Sequence, residues 1–184
     1  MLENRIIIGI DPGTVITGYG IIRCQGKKIS VLACGVIKIG KHKIDHPEKL
    51  KIIFQRISGL IKEFKPKELA IEAPFYGKNV QSMLKLGRAQ GVAMAAGLMH
   101  DLEVFEYAPR KVKVAVTGNG AASKEQIAGM LERFLDYKID SDHMDASDGL
   151  AVAVCHFFQG NKITKGNNYK DWNSFLKDNP DRIK

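Results

Sequence analysis

The chain has 184 residues, 45% of them apolar and 26% charged, which suits one domain with a real hydrophobic core and not a disordered or fibrous chain. No apolar run reaches about eighteen residues and the N-terminus lacks a basic region followed by an apolar stretch, so neither a membrane span nor a secretory leader is read and a cytoplasmic location is expected. A formal net charge of +8 favours a polyanionic partner, because lysine and arginine release counterions from a phosphate backbone; a solvated basic surface would carry the same charge.

In chain order, Ile6, Ile7, Ile8 and Ile10 around Gly9 form a short apolar run of the kind buried on both faces of a sheet. Asp11 stands at its exit, followed by Pro12 and Gly13. Asp-Pro-Gly is turn chemistry in its own right. An acid leaving a buried strand equally calls for a metal or a phosphate-bearing ligand to pair with it, and the stretch alone leaves both readings open. Thr17, Tyr19, Ile21 and Arg23 then alternate with Gly18, Gly20, Ile22 and Cys24, and Gln25 to Lys28 make a turn. Ile29, Val31, Ala33, Gly35, Ile37 and Ile39 repeat at period two, which predicts a long third strand of an antiparallel meander. Cys24, Cys34 and Cys155 are odd in number and lack finger spacing, so they read as buried thiols and not as a disulfide framework or zinc site.

From Pro47 the period changes: Leu50, Ile53, Phe54, Ile57, Leu60, Ile61 and Phe64 fall at helical spacing before Pro66. Leu69 to Glu72 is a short strand stopped by Pro74, and it delivers a second acid, Glu72, to a strand end. Val80 to His100 reads as a helix crowded with Gly87, Ala89, Gly91, Ala93, Ala95, Ala96 and Gly97. A glycine there disfavours the helix by up to about 1 kcal/mol relative to alanine, so close approach to a partner element or subunit is expected to offset it, tight packing within the chain being the alternative. Val104 to Tyr107 is a fifth strand, Pro109 opens a short helix through Val116, and Ser123 with Gln126 forms a capping box for the next helix, whose apolar face is Ile127, Met130, Leu131, Phe134 and Leu135. Asp142 can cap a last helix to about Gln159, with Leu150, Ala151, Val154, Phe157 and Phe158 buried. The domain is placed at 1–160. Residues 161–184 read as a tail, either disordered or forming a short docking helix around Trp172, Phe175 and Leu176.

The last helix carries Asp145 and Asp148, three apart and so on one face near its start. Acids in a first turn meet the helix dipole favourably, so either could be end chemistry. The set is what carries weight: Asp11 and Glu72 at strand ends and an acidic pair on a helix would repel one another unless divalent cations stand between them. Hard Mg²⁺ or Mn²⁺ suits such oxygens, and two ions roughly 3.5 to 4 Å apart can activate water on one side of a phosphodiester and stabilise the leaving oxygen on the other. This reaches a metal-dependent nuclease without choosing DNA or RNA.

Three strands, a helix, a strand, a helix, a strand and further helices, with acids ending strands one and four, resemble the ribonuclease-H-like fold: an α/β five-stranded mixed sheet, three antiparallel strands then two parallel, flanked by helices. Within it the sequence resembles the RuvC family of Holliday-junction resolvases. The resemblance rests on GIDPGTVITGYG at Gly9 to Gly20, AIEAPFYGKNVQSMLKLGRAQGV at Ala70 to Val92, FEYAPRKVK at Phe105 to Lys113 and DASDGLAVAV at Asp145 to Val154. It implies that Asp11, Glu72, Asp145 and Asp148 are catalytic metal ligands for two Mg²⁺ per subunit, with Mn²⁺ able to substitute. Phe75 matches an aromatic that inserts against junction bases, with Tyr76 beside it. Lys113 and Lys124 match contacts to the DNA backbone, a role that charge and proximity alone extend to Lys78, Arg110 and Lys111, where a solvated face is the alternative. The resemblance also implies a homodimer acting on four-way junction DNA, paired nicks leaving 5′-phosphate and 3′-hydroxyl ends in recombination and repair, and cooperation with RuvA and RuvB.

The competing readings are a kinase-like ATPase, which the chain is too short to build, an RNA-processing nuclease of the YqgF type, and a junction-binding protein without catalysis.

Overall fold

The computed structural model describes residues 4–40, 44–74, 79–139 and 144–163. Three strands come first, β1 (Asn4–Asp11), β2 (Ile16–Gln25) and β3 (Lys28–Lys38), followed by α1 (His46–Phe64) and β4 (Glu68–Glu72). Then come α2 (Val80–Leu98), β5 (Glu103–Tyr107), α3 (Pro109–Thr117), α4 (Lys124–Leu135) and α5 (Met144–Ile163). The five strands form one sheet in the order β3-β2-β1-β4-β5. β1–β2 and β2–β3 are antiparallel, while β1–β4 and β4–β5 are parallel. This is the ribonuclease-H-like arrangement expected from the order of elements.

The apolar run of β1 becomes the centre of the sheet, and alternation sends its residues to two cores. Ile8 and Ile10 join Ile21, Leu69 and Ile71 under α1 and α2; Ile7 joins Ile22, Ala70 and Tyr107 under α3, α4 and α5. The helix ends follow local chemistry. Asp45 caps α1 by accepting from the Glu48 amide at 2.9 Å, and Lys65 closes it in the left-handed region before Pro66. Ser123 and Gln126 form the expected reciprocal capping box on α4.

Several expectations are corrected. The period-two residues of β3 do not share one face, because a bulge opposite Ile21 and Ile22 shifts the register. Ile29 and Val31 therefore pack toward α5, whereas Ala33, Ile37 and Ile39 pack toward α1. On α4 only Ile127, Leu131 and Leu135 of the expected face are buried; Met130 and Phe134 are exposed. The small residues of α2 divide: Ala89, Ala93, Ala96 and Gly97 are buried within the chain, while Gly87 and Gly91 face open space. The last helix continues past Gln159 to Ile163, and Asp142, Trp172, Phe175 and Leu176 lie outside the described residues. Cys24 and Cys155 are buried and Cys34 half-buried. Among the described residues no helix is long and apolar enough to cross a membrane.

Candidate active site

The parallel pairing of β1 with β4 ends at Ile10 opposite Ile71, so the next residues, Asp11 and Glu72, leave the sheet side by side. Ile10 and Ile71 point into the core under α1 and α2, and pleating turns their successors to the α5 face. There α5 lands unusually close. Gly9 and Gly20 are cross-strand partners, as are Asp11 and Gly18. A Cβ on Gly18 would lie 2.1 Å from the Asp145 carbonyl oxygen, one on Gly20 2.4 Å from the Leu150 Cα, and one on Gly149 2.5 Å from the Tyr19 backbone. Gly9, Gly18 and Gly20 thus make a bare platform that lets the first turns of α5 rest on the strands and carry Asp145 and Asp148 to the exits of β1 and β4. Thr17, fully buried, closes the loop after Asp11 by donating to the Gly13 carbonyl at 2.9 Å and accepting from the Gly13 amide at 3.1 Å.

The acids and two lysines share a cleft of about 170 Å³ lined by Asp11, Glu72, Asp148, Lys113 and Lys124, with Pro109, Val112, Ile127 and Ala151 as its apolar wall. Larger hollows lie elsewhere: two of about 500 and 420 Å³ lie against β3, one beside Arg56 and Glu63 of α1 and one beside Tyr137 and Ile139, and another of about 390 Å³ lies beside Lys62 and His100; none of these gathers acids. The charge distribution, not the volume, singles out the smaller cleft. Burial and then the Asp148 charge push the Asp11 carboxyl up to about 6, against the pull of Lys124. Burial, Asp11 and Asp148 push Glu72 to about 8, with Lys113 and Lys124 opposing. Asp148 is also raised, by burial and by Asp145, despite its bond to Lys124. Lys124 donates to Asp148 Oδ2 at 2.6 Å and to Asp145 Oδ1 at 3.1 Å.

The other predicted residues are placed differently. The Lys113 ammonium donates to the Ala122 carbonyl at 2.8 Å within the cleft wall. Lys111 is exposed, with its ammonium 5.1 Å from the Tyr107 ring centre, and the exposed Arg110 lays its stem across Gly120. Both are on α3 but outside the cleft lining. Phe75, Tyr76 and Lys78 lie outside the described residues. The sequence reading missed Gln90, buried on α2, whose amide donates to Glu106 at 2.7 Å and reaches the Glu72 carbonyl at 3.5 Å, tying the end of β4 in place. The one available signal was a polar residue among the alanines and glycines of that helix. It also missed a part-buried chain outside the cleft lining, in which Tyr107 and Glu68 flank His156 at 2.6 Å on either ring nitrogen and Arg5 donates to Glu68 at 2.8 Å.

The model of the family described as crossover junction endodeoxyribonuclease RuvC matches residues 7–156. The chain belongs to the RuvC family. Proteins of that name from Christiangramia forsetii and Porphyromonas gingivalis are each 54% identical to it, the first over 99% of this chain and 94% of that protein, the second over 99% and 98%. The structure of Thermus thermophilus RuvC in complex with Holliday junction substrate superposes with a TM-score of 0.80 at 29% identity, covering 87% of this chain and 97% of that one. Both acidic strand ends, the α5 pair and Lys113 and Lys124 fall inside the RuvC match.

Proposed function

We propose that this RuvC-family chain is a Holliday-junction resolvase, a metal-dependent endonuclease that nicks two strands of like polarity at a four-way DNA junction. The observation that carries the reading is the convergence of Asp11, Glu72 and Asp148 with Lys113 and Lys124 in one cleft, Asp145 beside it, all within the family match.

The donor set fits a hard divalent cation in kind: all four side chains offer carboxylate oxygens, and burial with neighbouring acid charge keeps Asp11 and Glu72 raised against the pull of Lys124, and of Lys113 on Glu72, so a cation would favour their ionised forms. Among the described residues, no three His, Cys, Asp or Glu side chains are already gathered tightly enough to hold an ion. Asp11, Glu72, Asp145 and Asp148 would hold Mg²⁺ or Mn²⁺, two per subunit, and the metal would supply Lewis acidity and a water made nucleophilic near neutral pH. The chain's own groups do the rest. Lys113 and Lys124 bring positive charge to the phosphodiester, Arg110 and Lys111 extend it along the outer face of α3, and the apolar wall of Val112, Ile127 and Ala151 limits water around the acids. Phe75 with Tyr76 follows Glu72 by three residues and supplies an aromatic face for an unpaired base, and Lys78 a further phosphate contact.

The exposed face of α2 supports a homodimer, whose twofold symmetry matches that of a junction and allows two equivalent cuts. Ends that a ligase can seal and cooperation with RuvA and RuvB complete the proposal, in the cytoplasm during recombination and repair. The test is cleavage of a labelled mobile four-way junction beside linear duplex and an RNA–DNA hybrid, in Mg²⁺ and in chelator. Paired, metal-dependent, ligatable nicks in the junction alone are expected. Cutting of the hybrid would move the substrate to RNA, and tight junction binding without cutting would leave a binding protein.

A further inference from the structure

Two lysines line the acidic cleft, and they are held in different ways. Lys113 gives its ammonium to a backbone carbonyl, that of Ala122. Lys124 gives its ammonium to two carboxylates at once, Asp148 Oδ2 at 2.6 Å and Asp145 Oδ1 at 3.1 Å. These are charge-assisted bonds to the two acids that α5 brings to the site. Lys124 is the first residue of α4, and its backbone is fixed by the capping box immediately before it. Ser123 receives the Gln126 amide at 3.3 Å while Gln126 receives the Ser123 amide at 2.9 Å. The helix start therefore stays put, and only the four-carbon stem of Lys124 is free to swing. The Lys124 side chain is 53% exposed while that of Asp148 is 15% exposed, so the ammonium has an open route to solvent and the carboxylate is mostly covered.

We propose that Lys124 is a displaceable internal counter-ion: it neutralises Asp145 and Asp148, competes with a divalent cation for their oxygens, and is released toward the substrate phosphate when that cation takes them. This rests on the nuclease reading above and adds to it an exchange of partners by one side chain. A divalent ion drawing on Asp148 Oδ2 and Asp145 Oδ1 would stand against the ammonium on the same oxygens, where like charges repel strongly in a partly desolvated cleft. The ammonium gives way because a doubly charged ion interacts with both carboxylates more strongly than a singly charged one. Once free, its stem is long enough to place the charge at the mouth of the cleft, where the backbone phosphate arrives. Among the described residues Lys113 bonds a carbonyl and no carboxylate, and it provides the internal contrast.

The experiment is a Mn²⁺ titration of the full chain without DNA, followed by the electron paramagnetic resonance signal of free Mn²⁺. It is run on the wild type and on Lys124→Met, Lys124→Arg, Lys113→Met and Asp148→Asn. Lys124→Met is expected to bind Mn²⁺ about tenfold more tightly than wild type. Lys124→Arg should bind no more tightly than wild type, and Lys113→Met should show a clearly smaller gain than Lys124→Met. Melting temperature gives a second readout: Lys124→Met melts lower without metal, and Mn²⁺ raises it by more than it raises the wild type. Unchanged or weaker Mn²⁺ binding by Lys124→Met, or an equal gain in Lys113→Met, overturns the proposal while leaving the nuclease reading intact if Asp148→Asn loses Mn²⁺. No Mn²⁺ binding by the wild type, or full binding by Asp148→Asn, overturns both.

Discussion

Asp11 and Glu72 are adjacent acids whose carboxyls are pushed to about 6 and about 8, chiefly by burial, then by the Asp148 charge on Asp11 and by the Asp11 and Asp148 charges on Glu72. Two outcomes follow at this scale. Asp11→Asn removes one of the proposed metal-binding carboxylates, so cleavage should fall to less than about one hundredth while junction binding is nearly retained, because a catalytic metal supplies several kcal/mol of the rate. Equal losses of binding and cleavage would sink that assignment. The second concerns pH. A carboxyl whose folded value lies above its ordinary one stabilises the fold fully below the ordinary value and loses that contribution as pH rises through the folded value. In chelator the melting temperature should therefore fall between about pH 4.5 and 8, and Glu72→Gln should flatten the fall. Divalent metal should restore stability at the upper end, where the acids are ionised. The acids were legible in the sequence because a strand exit announces itself: apolar run, acid, then proline and glycine or alanine and proline. Their cationic partner was not legible in that role. Lys124 lies 21 and 24 residues from the acids it bonds, and no periodicity relates the first turn of α4 to that of α5. Gln90, His156 and Glu68 were missed for the same reason, since each is ordinary in its own element and acquires partners only in the fold.

At the scale of elements, the site depends on how close α5 comes to β1 and β2. Gly9, Gly18 and Gly20 on the strands and Gly149 on the helix leave no room for a Cβ between the two layers. Gly149→Ala would drive a methyl into the Tyr19 backbone, which cannot move without breaking the pairing of Tyr19 with Ile10 and Gly35. Overpacking of this kind destabilises by about 1 to 3 kcal/mol. The melting temperature should drop by roughly 3 to 10 °C for a domain of this size, and cleavage should fall further than stability does, because the displaced helix carries Asp145 and Asp148. Cleavage retained at wild-type level in a folded Gly149→Ala protein would show that the site tolerates a lifted α5. The order and type of the elements were readable from the switch of apolar period between two and 3.6, and the caps from Ser123, Gln126 and the prolines. The meaning of the glycines was not: in sequence they look like turns or a phosphate loop, and only the helix laid across them shows that they are a contact surface. The bulge in β3 escaped for a related reason, since Ile29 through Ile39 alternate without a break in sequence and the register shift at Leu32 is visible only against the partner strand.

At the scale of the whole molecule, α2 has two faces of different purpose. Ala89, Ala93, Ala96 and Gly97 bring it close to the sheet and to α1, which accounts for four of its seven alanines and glycines. The opposite face runs through Val80, Leu84, Gly87, Gly91 and Leu98, spaced as one helical stripe. Val80 is 60% exposed, Leu84 48% and Leu98 59%, and nothing in the chain stands within 4 Å of where a Cβ on Gly87 or Gly91 would be. A long exposed apolar stripe with glycines at its centre is what a second helix crossing at short distance needs, and about a twofold axis the same stripe serves both copies. Leu84→Glu places a charge on that stripe in each copy. Because Leu84 is already half-exposed, the monomer fold should be unaffected, with melting within a few degrees of wild type, while light scattering should show the mass of one chain for the variant and, if the proposed dimer forms through this stripe, of two for the wild type. Cleavage then separates the consequences: each monomer retains its acids, so single nicks should continue at a reduced rate, but paired nicks within the lifetime of one complex should disappear. Lys85→Glu, next to it and off the stripe, should leave both mass and pairing unchanged. A Leu84→Glu protein that remains dimeric would move the interface away from α2 and leave the exposed stripe, together with Gly87 and Gly91, to another partner.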